Sequence, residues 1–322
     1  MHAALSLVGD DLKNVELQFR KDLESDVYLI RKVGEYVLAS GGKRIRPMLL
    51  LLSAKLCGYQ GDRHVPLASV IEFIHTATLL HDDVVDNATL RRGNASANEV
   101  WGNEASVLVG DFLFSKSFSL MVEAGDLRIL KVISGATTII AEGEVLQLLC
   151  TSDLEMTQER YIEVVKSKTA VLLSAACEAG AILGTSSAEQ QEALRDFGMD
   201  LGIAFQLMDD TLDYTASEEQ FGKEIGHDLE EGKITLPLIH TLMKCSDEER
   251  ETIAAVVEKE ILEPGDFESV FTLVHKYGGI EYTVSVANEY IARCKAHLGA
   301  FVDSQEKAAL IELADYVVNR KR

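Results

Sequence analysis

Apolar residues recur at spacings of three and four along almost the whole chain, and the strict alternation of a half-buried strand is scarce. That periodicity predicts about a dozen amphipathic helices and an all-α protein. No Pro/Gly/Ser-rich linker, low-complexity tract or internal repeat interrupts the pattern, so one domain spanning 1–322 is expected. The chain has only four prolines, and most sit at predicted helix starts. Pro237 follows Thr235, an N-cap candidate, and so falls in a first turn. Val107 to Leu120 carries apolar residues on more than one face, which calls for a partner surface.

Two polar interruptions break the helical pattern in the same way. Asp82, Asp83 and Asp86 form one DDxxD cluster, and Asp209, Asp210 and Asp213 form a second. On a helix, Asp82 stacks with Asp86, and Asp209 with Asp213. Stacked carboxylates repel one another, so an apolar helix carries them only where a cation offsets the repulsion. One such cluster is commonly a solvated acidic patch. Two, each inside an apolar run, point to two carboxylate clamps facing one another and holding Mg²⁺ against a polyphosphate. Asp82, Asp86 and Asp209 are the strongest candidates for direct ligands, with Asp83 and Asp213 orienting waters.

A polyphosphate also needs fixed cations, and the basic residues are grouped to supply them. Lys43, Arg44 and Arg46 lie in a Gly-led turn, and Arg91 and Arg92 follow the first aspartates. Lys168 and Thr169 open an apolar run, while Lys223 and Lys233 flank the segment after the second cluster. Arg suits bidentate phosphate contacts, and Lys acts as a point charge.

Taken in order, GGKRIRP (41–47), LLHDDVVDNATLRRG (79–93), EGEVLQL (142–148), KT (168–169), FQLMDDTLDY (205–214) and FGKEIGHDLEEGKITLPLI (221–239) resemble the motif set of the trans-type (E-type) isoprenyl diphosphate synthases. The wording is most similar to the long-chain members, the octaprenyl and solanesyl type that make quinone side chains. The resemblance implies an isoprenoid synthase fold, a helical bundle around a central active-site cavity. It implies condensation of isopentenyl diphosphate with an allylic diphosphate, with Mg²⁺ as cofactor and a homodimeric assembly. By motif position, Arg91, Lys168, Lys223 and Lys233 look like allylic diphosphate contacts. Lys43, Arg46, His75 and Arg92 look like the metal-free isopentenyl diphosphate site. Thr169 and Gln206 are neutral dipoles suited to an allylic cation, and His81 is read as a packing or orienting residue.

Ala77 and Thr78, five and four residues before Asp82, are small, and a growing chain would pass beneath the first aspartates there. Each further turn adds about 5.4 Å, comparable with one extended isoprene unit. Phe114, Phe118 and Met121 are candidates for the floor.

Composition adds exclusions. With 31 basic and 52 acidic residues, a net charge of −21 disfavours nucleic acid and anionic membranes. No segment reads as a bilayer span, although a long apolar product implies transient membrane contact at its release. The five cysteines, odd in number and without CxxC spacing, read as reduced thiols in the cytoplasm. A hydrolase is disfavoured because no Ser-His-Asp or GxSxG pattern occurs. A terpene cyclase would need neither the second DDxxD nor the isopentenyl site. A non-catalytic partner subunit would be expected to lose a DDxxD motif, and a Ca²⁺-binding protein would show EF-hand loops. A shorter-chain farnesyl or geranylgeranyl synthase is the remaining alternative.

Overall fold

The computed structural model describes residues 1–215, 226–259 and 263–319. The all-α expectation holds: sixteen α-helices account for nearly all of the described regular structure. By packing, the chain divides into two compact units, neither a continuous stretch of chain. The first comprises 1–137, 172–198 and 298–313, and the second 138–171, 199–297 and 314–322.

In the first unit, α4 (His64–Val85) packs against α1 (His2–Asp22), α3 (Ile45–Leu56) and α6 (Asn103–Ala124). Its apolar residues cover more than one face, so Leu67, Val70, Ile71, Phe73, Ile74 and Leu80 are all buried. Each such side chain contributes about 1.5–3 kcal/mol of burial. The rings of Phe19 and Phe73 meet at 4.2 Å between centroids, joining α1 to α4. α2 (Tyr28–Ala39) and α5 (Ala97–Trp101) complete this side.

Helix α6 corrects one sequence expectation. Its mean hydropathy of 1.4 over a long window makes it long and apolar enough to cross a membrane, yet 44% of that window is buried inside the protein. Ala105, Val109, Leu113, Leu120 and Met121 are buried, and α4 is its main packing partner.

A feature that the periodicity did not reveal follows α4. Leu90–Arg91 and Asn94–Ala95 pair as a two-residue antiparallel ribbon, β1 and β2. Its turn residues, Arg92 and Gly93, both have positive φ (53° and 76°), the requirement of a tight primed turn. This ribbon fixes where Arg91 and Arg92 leave the backbone.

In the second unit, α8 (Gln158–Val165) continues into a single π-helical turn over Lys166–Ala170. α11 (His227–Glu230), α12 (Leu236–Leu242), α13 (Asp247–Val257), α14 (Pro264–Lys276) and α15 (Gly279–His297) follow the later part of α10 (Ala188–Asp213). Tyr161, Leu207, Tyr214, Leu238, Ile253 and Val274 are among its core residues. Thr235 takes the predicted N-cap position with Pro237 in the first turn, but its hydroxyl makes no capping bond. α7 (Leu127–Leu149), α9 (Val171–Leu183) and α16 (Gln305–Asn319) complete the helices. All five cysteines are free thiols.

Candidate active site

Both aspartate clusters occupy the C-terminal ends of long helices. Asp82 and Asp83 are in the last turn of α4, and Asp86 is its C-cap. Asp209, Asp210 and Asp213 close α10. A helix C-terminus carries partial negative charge from its unpaired carbonyls, so carboxylates there are opposed by about 0.3–1 kcal/mol each. This donor set, all hard oxygen at the negative end of a helix dipole, fits a divalent cation.

The three aspartates of the first cluster differ. Asp82 and Asp86 are half-buried, whereas Asp83 is buried. The Asp83 carboxylate accepts from Nε of Arg91 at 2.7 Å and from Nη2 of the same guanidinium. Burial pushes the Asp83 carboxyl up, and Arg91 opposes that rise. Asp83 is thus held by its own downstream ribbon, which separates it from Asp82 and Asp86. Arg91, read from sequence as a diphosphate contact, has Asp83 as its partner here.

The isopentenyl diphosphate candidates come together in the same unit. Arg46 Nη1 lies 3.2 Å from Nε2 of His75. Arg92 donates to the carbonyl of Gly41 and closes over Gly42, where a Cβ would come within 2.8 Å of its guanidinium. Lys43 is exposed on the same turn. Burial, then the nearby charge of Arg46, Arg92, Arg91 and Arg44, holds His75 well below the usual imidazole range. It is therefore neutral at neutral pH. His81 packs onto α6 at Gly110, with Nε2 3.1 Å from the Val107 carbonyl, and stacks on Phe114.

Ala77 is 0% exposed and belongs to an apolar cluster with Phe73, Leu80, Val109 and Leu113. Thr78, one position round the helix, is half-buried, and its hydroxyl donates to the His75 carbonyl at 2.8 Å. Phe114 stacks on His81 at 5.8 Å between ring centroids. Phe118 lies about one turn further along α6 and Met121 about two.

The second cluster is built with more hydrogen bonds. Asp209 is exposed and Asp210 is buried. Asp210 accepts from the Tyr161 hydroxyl and from Gln206 Nε2 at 2.7 Å. The Gln206 carbonyl oxygen in turn accepts from the Thr169 hydroxyl at 3.0 Å. Asp213 accepts from the backbone N–H groups of Gly226 (3.0 Å) and Asp228 (3.1 Å). Burial first, then Asp209 and Asp213, push the Asp210 carboxyl up to about 7. Asp213 is raised by burial, and Asp228 well raised by burial and then by Asp210 and Asp213.

The π turn displays Lys168 and Thr169, an irregularity that often marks a functional position. Gly143 of α7 makes it possible, since a Cβ there would stand 2.7 Å from Ser167 Cβ. From the same helix, Glu144 and Gln147 accept from Lys168 Nζ at 2.6 and 2.7 Å. Lys233 pairs with Glu231. Lys168, Thr169, Gln206, Asp210, Asp228 and Lys233 line one cavity of about 120 Å³. Lys223 lies outside the described residues. Tyr161, Glu144, Gln147 and Asp228 were not singled out from sequence. EGEVLQL was part of the motif set without an assigned role, and nothing local marked Tyr161.

The raised Asp210 carboxyl gives a pH expectation. Its pKa is higher folded than unfolded, so the folded state binds more protons between those values, and stability is lost as pH rises toward 7. With EDTA present, melting temperature should fall from pH 5.5 to pH 8, and Asp210→Asn should flatten the fall. An equally steep fall in Asp210→Asn, read by scanning fluorimetry, would assign it to other groups.

The polyprenyl synthetase family model matches residues 27–274. The chain is 45% identical over 320 residues to octaprenyl diphosphate synthase of Escherichia coli K12, covering 98% of each protein. Among solved structures it is similar to a decaprenyl diphosphate synthase from Rhodobacter capsulatus (TM-score 0.94, 42% identity, 99% of this chain and 98% of that one). It is equally similar to a polyprenyl synthase from Caulobacter crescentus complexed with calcium and isoprenyl diphosphate (TM-score 0.95, 41% identity, 100% of this chain and 98% of that one).

Proposed function

The chain belongs to the polyprenyl synthetase family, and from that premise we propose that it is a long-chain, octaprenyl-type synthase serving quinone side chains. Its fold is the all-α isoprenoid synthase fold. It is a prenyltransferase that elongates a polyprenyl diphosphate by condensing isopentenyl diphosphate with an allylic diphosphate. Family members depend on a divalent cation, which we assign as Mg²⁺. The observation that carries the site reading is the pair of aspartate clusters at the negative ends of α4 and α10.

The allylic C–O bond breaks, the isopentenyl double bond attacks the resulting cation to form the new C–C bond, and a proton passes to the departing diphosphate. Mg²⁺, when bound, takes up the negative charge that grows on the departing diphosphate. At the end of α4 the candidate ligands are Asp82 and Asp86, with Asp83 supporting; at the end of α10 the candidate ligand is Asp209, with Asp210 and Asp213 supporting. Lys168, Lys223 and Lys233 add fixed positive charge at the leaving group, which lowers the barrier because that charge grows in the transition state. Glu144 and Gln147 hold Lys168, and Thr169 and Gln206 offer neutral dipoles to the cation without a nucleophile that would trap it. Lys43, Arg46, Arg92 and neutral His75 hold the isopentenyl diphosphate, whose charge stays constant, so no metal is needed there.

The two adjacent arginines should therefore behave differently. Arg92→Ala is expected to raise the Michaelis constant for isopentenyl diphosphate about tenfold with little change in melting temperature. Arg91→Ala should lower the rate constant and also destabilise the protein by about 3–5 kcal/mol, because buried Asp83 loses its partner. Identical kinetic and thermal defects in the two variants would refute the separation.

We propose a homodimer. α6 exposes Val107, Leu108 and Val122 at 37%, 66% and 65%, an apolar face suited to a second copy. Sedimentation at micromolar concentration should show a dimer, and a monomer would count against it. The free thiols favour a cytoplasmic setting. The reading as a whole is tested by incorporation of labelled isopentenyl diphosphate into extractable lipid. Incorporation should require both an allylic primer and Mg²⁺, and incorporation undiminished by EDTA would overturn it.

A further inference from the structure

Glu72 stands on α4, one turn before His75, and is 5% exposed. It lies within an unbroken run of buried residues from Leu67 to Ile74. A carboxylate so placed costs several kcal/mol unless it is paired. Its partner is the Arg44 guanidinium, which bonds Glu72 Oε1 and also donates through Nη2 to the Leu38 carbonyl at 3.0 Å.

Arg44 sits at the centre of the Gly41–Pro47 turn with φ 50° and ψ 35°, as the N-cap of α3. A non-glycine residue in that left-handed conformation is sterically disfavoured. The turn is tied at three points. Arg44 binds the end of α2 through Leu38 and the middle of α4 through Glu72, and the Gly41 carbonyl accepts from Arg92. Lys43 and Arg46 flank Arg44, and Arg46 reaches His75, one turn beyond Glu72.

We infer that Glu72, acting through Arg44, is the positioning residue of the isopentenyl diphosphate site. It locks the left-handed turn so that Lys43 and Arg46 are set beside His75 and Arg92. It also keeps Arg44, the remaining cation of the turn, on the protein and out of the diphosphate's ligand set. The inference rests on the assignment of Lys43, Arg46, His75 and Arg92 to isopentenyl diphosphate.

The test is steady-state kinetics with each substrate varied separately, using Glu72→Ala, Glu72→Gln, the double variant Arg44→Met/Glu72→Met, and Arg92→Ala for reference. Glu72→Ala should raise the Michaelis constant for isopentenyl diphosphate about tenfold, leaving that for the allylic primer and the Mg²⁺ needed for half-maximal activity unchanged. Glu72→Gln keeps an amide oxygen for Arg44 and should show a smaller rise. The double variant replaces the buried pair by apolar side chains, which commonly preserves stability, yet it lacks the latch, so its constant should stay raised. A double variant with a normal constant, or equal rises for both substrates, would overturn the role and leave Glu72 as a counter-charge. If Glu72→Ala does not fold, Glu72→Gln and the double variant decide by the same criteria. An unchanged constant in Arg92→Ala would instead overturn the site assignment, and this role with it.

Discussion

Asp82→Ala and Asp209→Ala should each lower turnover by at least about a thousandfold while leaving the helical fold intact. Each removes an oxygen ligand from the place where leaving-group charge must be neutralised. Asp82 is half-buried and Asp209 exposed, whereas Asp83 and Asp210 are buried and hydrogen-bonded to Arg91 and Gln206. Relief of repulsion at the helix C-terminus should make the metal-free variants as stable as the parent, or slightly more so. Asp83→Ala, by contrast, should lose stability as well as activity, because Arg91 loses its buried partner. The measurements are initial rates with saturating Mg²⁺ and melting curves with EDTA. Near-parental rates in Asp82→Ala or Asp209→Ala would remove the metal role from that cluster.

Product length gives the second large effect. Thr78 stacks one turn beneath Asp82 and is half-buried, so Thr78→Phe should place a ring in the path of the growing chain and shorten the product to a few isoprene units. Ala77→Phe should also shorten the product, at a further cost. Ala77 is packed against Phe73, Leu80, Val109 and Leu113. A ring there overfills the contact between α4 and α6 and should destabilise the protein by about 1–3 kcal/mol. The first condensation should proceed at close to the parental rate in both, since the cationic and aspartate residues are untouched. Chromatography of the products separates the cases. Well-folded Thr78→Phe and Ala77→Phe proteins that still make the full-length product would show that these residues pack between helices and do not limit the chain.

The parts of the site that could be read from sequence are those whose partners lie within one helical turn or one short motif. Asp82 with Asp86, and Asp209 with Asp213, announce themselves through spacing alone. The polarity of each cluster, at the C-terminal end of its helix, needed the helix boundaries. The division of labour within each cluster was hidden because it depends on long-range partners. Tyr161 reaches Asp210 across 49 positions, and Arg44 reaches Glu72 across 28. Neither pair leaves a periodic trace.

Arg91 read as a substrate contact because its charge and place in the motif were visible, whereas the β-ribbon that turns it toward Asp83 was not. Two residues per strand are too few to show alternation. Helix α6 shows the converse limit. Its composition alone satisfies the membrane test, and packing on α4 accounts for the buried part of that apolar content. Ala77 and Thr78 were paired by sequence distance from Asp82, yet one residue is a rotation of about 100° on a helix, enough to move a side chain from core to partial exposure.

The most direct test of the account is the mass of the product formed from farnesyl diphosphate, excess isopentenyl diphosphate and Mg²⁺. After dephosphorylation, a long-chain polyprenol of the octaprenyl class is predicted, with shorter intermediates only at early times or limiting isopentenyl diphosphate. Accumulation of a farnesyl- or geranylgeranyl-length product under excess isopentenyl diphosphate, or no extension of the primer at all, would contradict it.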